Sequence, residues 1–166
     1  MDTGEARASA LERQLEHYLY TAQEGIRLMD PQLAPLELPP LASRHVRPEV
    51  LADLAGARAW FTAEHAVLLG VIRQASAAGF DRACWQLAYA VKTYLYWSGQ
   101  WADWVVTQTA ALRAAQRLGD LVVQAHTHRS LGKALDLSGR QDEAEAHFKS
   151  ALELFAAVRD PQGGRS

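Results

Sequence analysis

Six histidines, a single cysteine and a group of tryptophans are the residues of this 166-residue chain with the most chemical reach, and their spacing limits what they can do. His126 and His128 stand two apart in a helix-favouring stretch. Two residues turn a helix by roughly 200°, so the two rings point to opposite sides and cannot share one metal ion. No His-Glu-x-x-His pattern occurs, and His17, His45 and His65 lack partners at ligand spacing, so neither a metal nor a cofactor is expected. Paired carboxylates occur only in Asp142-Glu143 and Glu145, which reads as a solvated face. A Gly-x-Ser-x-Gly elbow for an activated serine is missing. Cys84 rules out an intramolecular disulfide and any cysteine-based zinc site; next to Trp85 in an expected helix, it reads as a buried, inert thiol. No catalytic constellation emerges, so the chain is not expected to be an enzyme.

The tryptophans carry a different message. Trp97, Trp101 and Trp104 flank one turn at spacings of four and three, with Trp60 and Trp85 elsewhere. They serve either as packing between helices or, at Trp101 and Trp104, as an exposed aromatic anchor for a partner.

These side chains need helices to hold them. Thirty alanines and 22 leucines favour helix, and five of six prolines fall between Pro31 and Pro48, with none again until Pro161. A first helix is predicted over about 5–29, with Leu11, Leu15, Tyr18, Leu19, Ala22 and Ile26 on one face, stopped by Asp30-Pro31. The proline-rich connector, residues 31–54, carries Leu33, Leu36, Leu38 and Leu41, which suggest that it lies against the helical body. Gly79, Gly99, Gly119 and Gly139 then fall 20 residues apart and predict helices over about 55–78, 82–98, 101–118, 121–138 and 140–158. The register repeats at 40 residues, with Trp97-Ser98-Gly99-Gln100 over Leu137-Ser138-Gly139-Arg140. That period predicts an all-α stack of antiparallel hairpins, residues 55–160, with a long N-terminal helix over residues 1–30, a short tail over 161–166, and one compact domain overall. A four-helix bundle is the alternative, but it needs no such register.

A net charge of −2 gives no footprint for nucleic acid or an anionic membrane, and no apolar run approaches a bilayer span. The opening residues lack the form of a signal peptide, and a single cysteine fits a reducing compartment. A cytoplasmic protein is expected.

Leu131-Gly132, Leu135, Gly139, Ala144, Phe148 and Ala151 resemble the tetratricopeptide repeat signature over about 34 residues. The preceding unit departs from it, with Trp104 and Gln108 where alanine and phenylalanine belong. In such arrays the first helix of each hairpin lines a concave face. The resemblance therefore puts His126, Arg129 and Lys133 there, with Gln86, Tyr89 and Thr93 forty residues earlier and Tyr96 one turn on. A wider likeness runs through His17-Tyr18-Leu19-Tyr20-Thr21-Ala22, Leu28-Met29-Asp30-Pro31 and Ala59-Trp60-Phe61-Thr62-Ala63-Glu64. It is similar to the segment that opens the repeat array in actinobacterial NB-ARC/tetratricopeptide transcription regulators related to the Streptomyces antibiotic regulatory proteins. Val67 departs from that family's usual asparagine, and no phosphate loop occurs here.

What this implies is a non-catalytic protein- or peptide-binding and signal-relay module of a transcription regulator, working through the concave groove. The expected partner is a peptide segment or another domain of the parent protein, with no direct nucleic-acid contact. Self-association stays open. The alternative is a small-molecule sensor with an aromatic pocket around Tyr89, Tyr96 and the tryptophans.

Overall fold

The computed structural model describes residues 3–38 and 49–159. These form six α-helices and no strand: α1 (Thr3–Met29), α2 (Leu54–Ala78), α3 (Asp81–Trp97), α4 (Trp101–Leu118), α5 (Leu121–Leu137) and α6 (Gln141–Arg159). Each lies within one or two residues of its expected span. The all-α class therefore stands, and α3 and α5 begin and end 40 residues apart. The expected tail over 161–166, together with Leu41 and His45 of the connector, lies outside the described residues.

Local chemistry sets the boundaries. Gly79, Gly99, Gly119 and Gly139 all have φ between 68° and 81°, a left-handed conformation that costs any residue with a Cβ and is free to glycine. Asp53 and Asp120 cap the starts of α2 and α5, their side chains accepting from the amides of Gly56 and Val123 at 2.8 and 3.1 Å. Each such cap contributes about 1 kcal/mol.

Packing runs along the chain: α3 on α4, α4 on α5 and α5 on α6, with α1 lying across α2 and α3. The main core is N-terminal and gathers Leu15, Leu19, Phe61, Ile72, Leu87, Val91 and Leu95. Gly25 permits the close crossing of α1 over α2, since a Cβ there would meet the Phe61 ring at 2.7 Å. Phe61 in turn stacks on Tyr94 with centroids 5.2 Å apart. His65 ties three helices together, its two ring nitrogens meeting Tyr94 Oη at 3.0 Å and the Asp103 carboxylate at 2.8 Å. A smaller second cluster holds the C-terminal hairpin, built from Leu112, Leu131, Leu135 and Ala144. Phe148 packs against it but is only half-buried, because α6 is the outermost helix and has α5 on one side alone.

The described part of the leucine-bearing connector lies on the helices. Leu36 is buried, and Leu33 and Leu38 pack on the main core. Among the described residues no helix is long and apolar enough to cross a membrane.

Candidate functional site

A cleft of about 530 Å³ opens between the connector, α3, α4 and α5. That volume falls within the range typical of small-molecule sites. The starting point is a pair of positions at which the repeat breaks. In the C-terminal hairpin Gly132 has no side chain because the Phe148 ring fills its place, with ring carbons 2.8 Å from where a Cβ would be. Forty residues earlier the matching positions are Lys92 and Gln108. With no aromatic ring at 108, the space between α3 and α4 is lined by a lysine and an amide instead, and both face the cleft. Gln108 is buried and donates to the Ala88 carbonyl at 3.2 Å.

One wall comes from the chain itself. Residues 33–37 cross the mouth of the cleft as an extended strap. Gln23 on α1 holds the strap through a two-way pair with the Leu36 backbone, donating to its carbonyl at 2.8 Å and accepting from its amide at 2.9 Å. Tyr89 on α3 donates its hydroxyl to the Ala34 carbonyl. The strap thus connects Gln23 of α1 to Tyr89 of α3.

Of the seven groove residues expected from sequence, Gln86, Tyr89, His126 and Arg129 line this cleft. Thr93, Tyr96 and Lys133 do not. They continue the same surface beyond it, where the Lys133 ammonium stands 4.6 Å above the Tyr96 ring. Gln86 is 6 % exposed, yet its amide makes no hydrogen bond among the described residues. Arg129 donates to His126 Nδ1 at 3.2 Å. Burial, then the neighbouring charges of Arg129 and Lys92, hold His126 below the ordinary histidine range. Burial above all, reinforced by Arg129 and opposed by Asp30, pulls Lys92 down to about 8.

The expected anchor at Trp101 and Trp104 needs correction. Trp104 is buried and donates its indole N–H to Ser130 Oγ at 3.0 Å, and Trp101 is half-buried against it. The Trp104 ring is taken up by the contact between α4 and α5 and leaves little surface for a partner. Trp97 is the exposed tryptophan, and Arg58 lies 3.6 Å over its ring.

Sequence reasoning missed Lys92 and the part the connector plays as a wall of the cleft, and it included Trp85 only among the tryptophans of the small-molecule alternative. Trp85 and Lys92 lie four before and three after Tyr89, so helical spacing alone could have found them. His126 and His128 meet different residues of α6, His126 packing edge-on against Phe155 with centroids 5.0 Å apart. His128 turns towards α6 and meets His147, Nδ1 to Nδ1, at 2.9 Å. Cys84 is fully buried, and burial pushes its thiol up to about 11, as fits an inert thiol. Among the described residues no group of three potential metal ligands assembles.

Comparison with family models, with curated proteins and with solved structures finds no match for this chain.

Proposed function

We propose that the chain is a non-catalytic recognition and relay module, a stack of tetratricopeptide-like hairpins whose concave cleft takes a small effector. The observation that carries this reading is the strap. Residues 33–37 add a wall to a half-open cleft of about 530 Å³, a site of effector size. The Gln86 amide, which makes no hydrogen bond among the described residues and lines the cleft, is a donor and acceptor open to a ligand.

The relay follows from how the strap is held. An effector touching both α5 and the strap changes the seat of a segment bonded to α1 through Gln23 and to α3 through Tyr89. In the transcription regulators that the chain resembles, the segment's N-terminal side faces the ATPase and winged helix. Movement of α1 would therefore pass a signal to those domains without this segment touching nucleic acid.

A second reading has its own support. The stripe from Arg129 to Lys133 and Tyr96 runs on past the cleft and suits an acidic peptide or another domain of a parent protein. Thermal-shift screening against a panel of small metabolites separates the two. A saturable rise in Tm that is lost in Gln86→Leu supports the effector site. No rise with any compound, together with acidic-peptide binding that Arg129→Ala/Lys133→Ala abolishes, replaces it with the peptide reading.

A further inference from the structure

The cleft is lined by more cations than carboxylates, and Asp30 is the nearby acid that acts on Lys92 without pairing with it. Arg82, Lys92 and Arg129 line it against one carboxylate, Glu37. The ion pairs among the described residues all use other cations, so none of these three has a carboxylate at pairing distance. Asp136, one turn after Lys133, makes no ion pair with it either. Lys92 sits with its ammonium 4.4 Å over the Tyr89 ring, a contact that softens burial but does not neutralise the charge. Arg129 spends one nitrogen on His126 and stands 5.6 Å from the centroid of the Phe155 ring, with its other N–H donors unpaired by any carboxylate among the described residues. Gln86, nine-tenths buried, lines the same cleft with its amide unbonded.

We infer that the cleft is an anion site for a small molecule with an oxyanion head, carboxylate or phosphate, on a flat apolar body. This rests on the effector reading of the cleft and names the effector's chemistry. The head lies against Lys92 and Arg129 with the Gln86 amide as a further donor, and the body lies against Trp85 and Tyr89. A poorly hydrated cation without a counter-ion is costly, and an arriving oxyanion removes that cost while gaining charge-assisted hydrogen bonds. A guanidinium fork fits a planar or tetrahedral oxyanion equally well, which leaves carboxylate and phosphate for the experiment to separate. The depressed proton affinity of Lys92 agrees with a site short of negative charge.

The test is calorimetric titration of the full chain with three probes that share one body: naphthoate, naphthyl phosphate and naphthamide. At least one anion should bind about tenfold tighter than the neutral amide, the worth of a charge-assisted contact. The better of the two anions identifies the head. Lys92→Met/Arg129→Gln should reduce that preference to about twofold or less without lowering Tm, while Lys133→Ala, outside the cleft, should keep it. If the double variant does not fold, Arg129→Gln alone, at an exposed side chain, should still remove most of the preference. Equal binding of amide and anions overturns the anion site and leaves the cleft as an effector site. An anion preference that survives the double variant also overturns the assignment. Failure of every probe at millimolar concentration overturns both.

Discussion

Lys92 is the residue whose placement is hardest to explain by folding alone. It sits in the cleft wall with no carboxylate of the described residues at pairing distance, and burial above all lowers its pKa from 10.5 to about 8. Because the folded pKa lies below the unfolded one, the unfolded chain binds more protons between those two values. The Lys92 contribution to stability therefore rises with pH across about 8 to 10.5, and below 8 its full burial penalty is present. Lys92→Met should raise Tm at neutral pH by about 2–4 °C, corresponding to roughly 1 kcal/mol, and should flatten the alkaline rise in stability. Denaturant titrations at neutral and alkaline pH would check both, and a variant less stable than the parent would show that Lys92 supports the fold. The same residue marks the limit of sequence reading. The repeat resemblance pointed to Gln86, Tyr89, His126 and Arg129, yet the 40-residue overlay pairs Lys92 with Gly132, a position without a side chain, and so hid it. Trp104 misled for a related reason: spacing shows that aromatics share a turn, but burial depends on the small residues they replace.

Two helix crossings depend on the absence of one carbon atom, and they should answer differently when it is added. At Gly25 a Cβ would meet the fully buried Phe61, which is itself stacked on Tyr94 and cannot retreat. Gly25→Ala should cost about 1–3 kcal/mol, the usual price of overpacking, less the gain of about 1 kcal/mol in helix propensity. At Gly132 the obstructing ring belongs to Phe148, which is half-buried on the outermost helix and free to swing outward. There the propensity gain offsets most of the strain, and Gly132→Ala should come within about 1 kcal/mol of the parent. Urea unfolding of both variants makes the comparison, and equal losses would show that the C-terminal hairpin packs as rigidly as the N-terminal crossing. Phe148→Ala should for the same reason cost about 2 kcal/mol, below the range for a fully buried aromatic. The helices themselves were legible because glycine, proline and alanine act locally. The strap was legible only as leucines seeking cover: its seat depends on Gln23 and Tyr89 meeting backbone groups at Leu36 and Ala34, which no local pattern encodes.

Across the whole molecule, stability should fall from the N-terminal end to the C-terminal end. The large core, the α1 crossing and the strap all bear on α1 to α4, while α6 rests on α5 and a cluster of four buried residues. In a stack that depends on neighbours, the end unit opens first, so native-state hydrogen exchange should find α6 least protected and α3 most. Acid should sharpen this gradient. His128 and His147 share one contact between their Nδ1 atoms, which needs one ring to offer a lone pair and fails once both are protonated. Burial, then the charge of its partner, lowers His128 below 6.5, and burial lowers His147 despite the opposing pull of Glu143. With folded pKa values depressed, the contribution of the pair is complete above about 6.5 and is lost as pH falls through that value and on through the folded ones. Exchange rates in α5 and α6, corrected for intrinsic pH effects, should therefore rise on going from pH 7 to pH 5, while α3 stays protected. His147→Gln should blunt that response, because a glutamine cannot take up the proton. Acid loosening that began in α1 or α2 and left α6 protected would overturn the assignment of the weak point to the contact between His128 and His147.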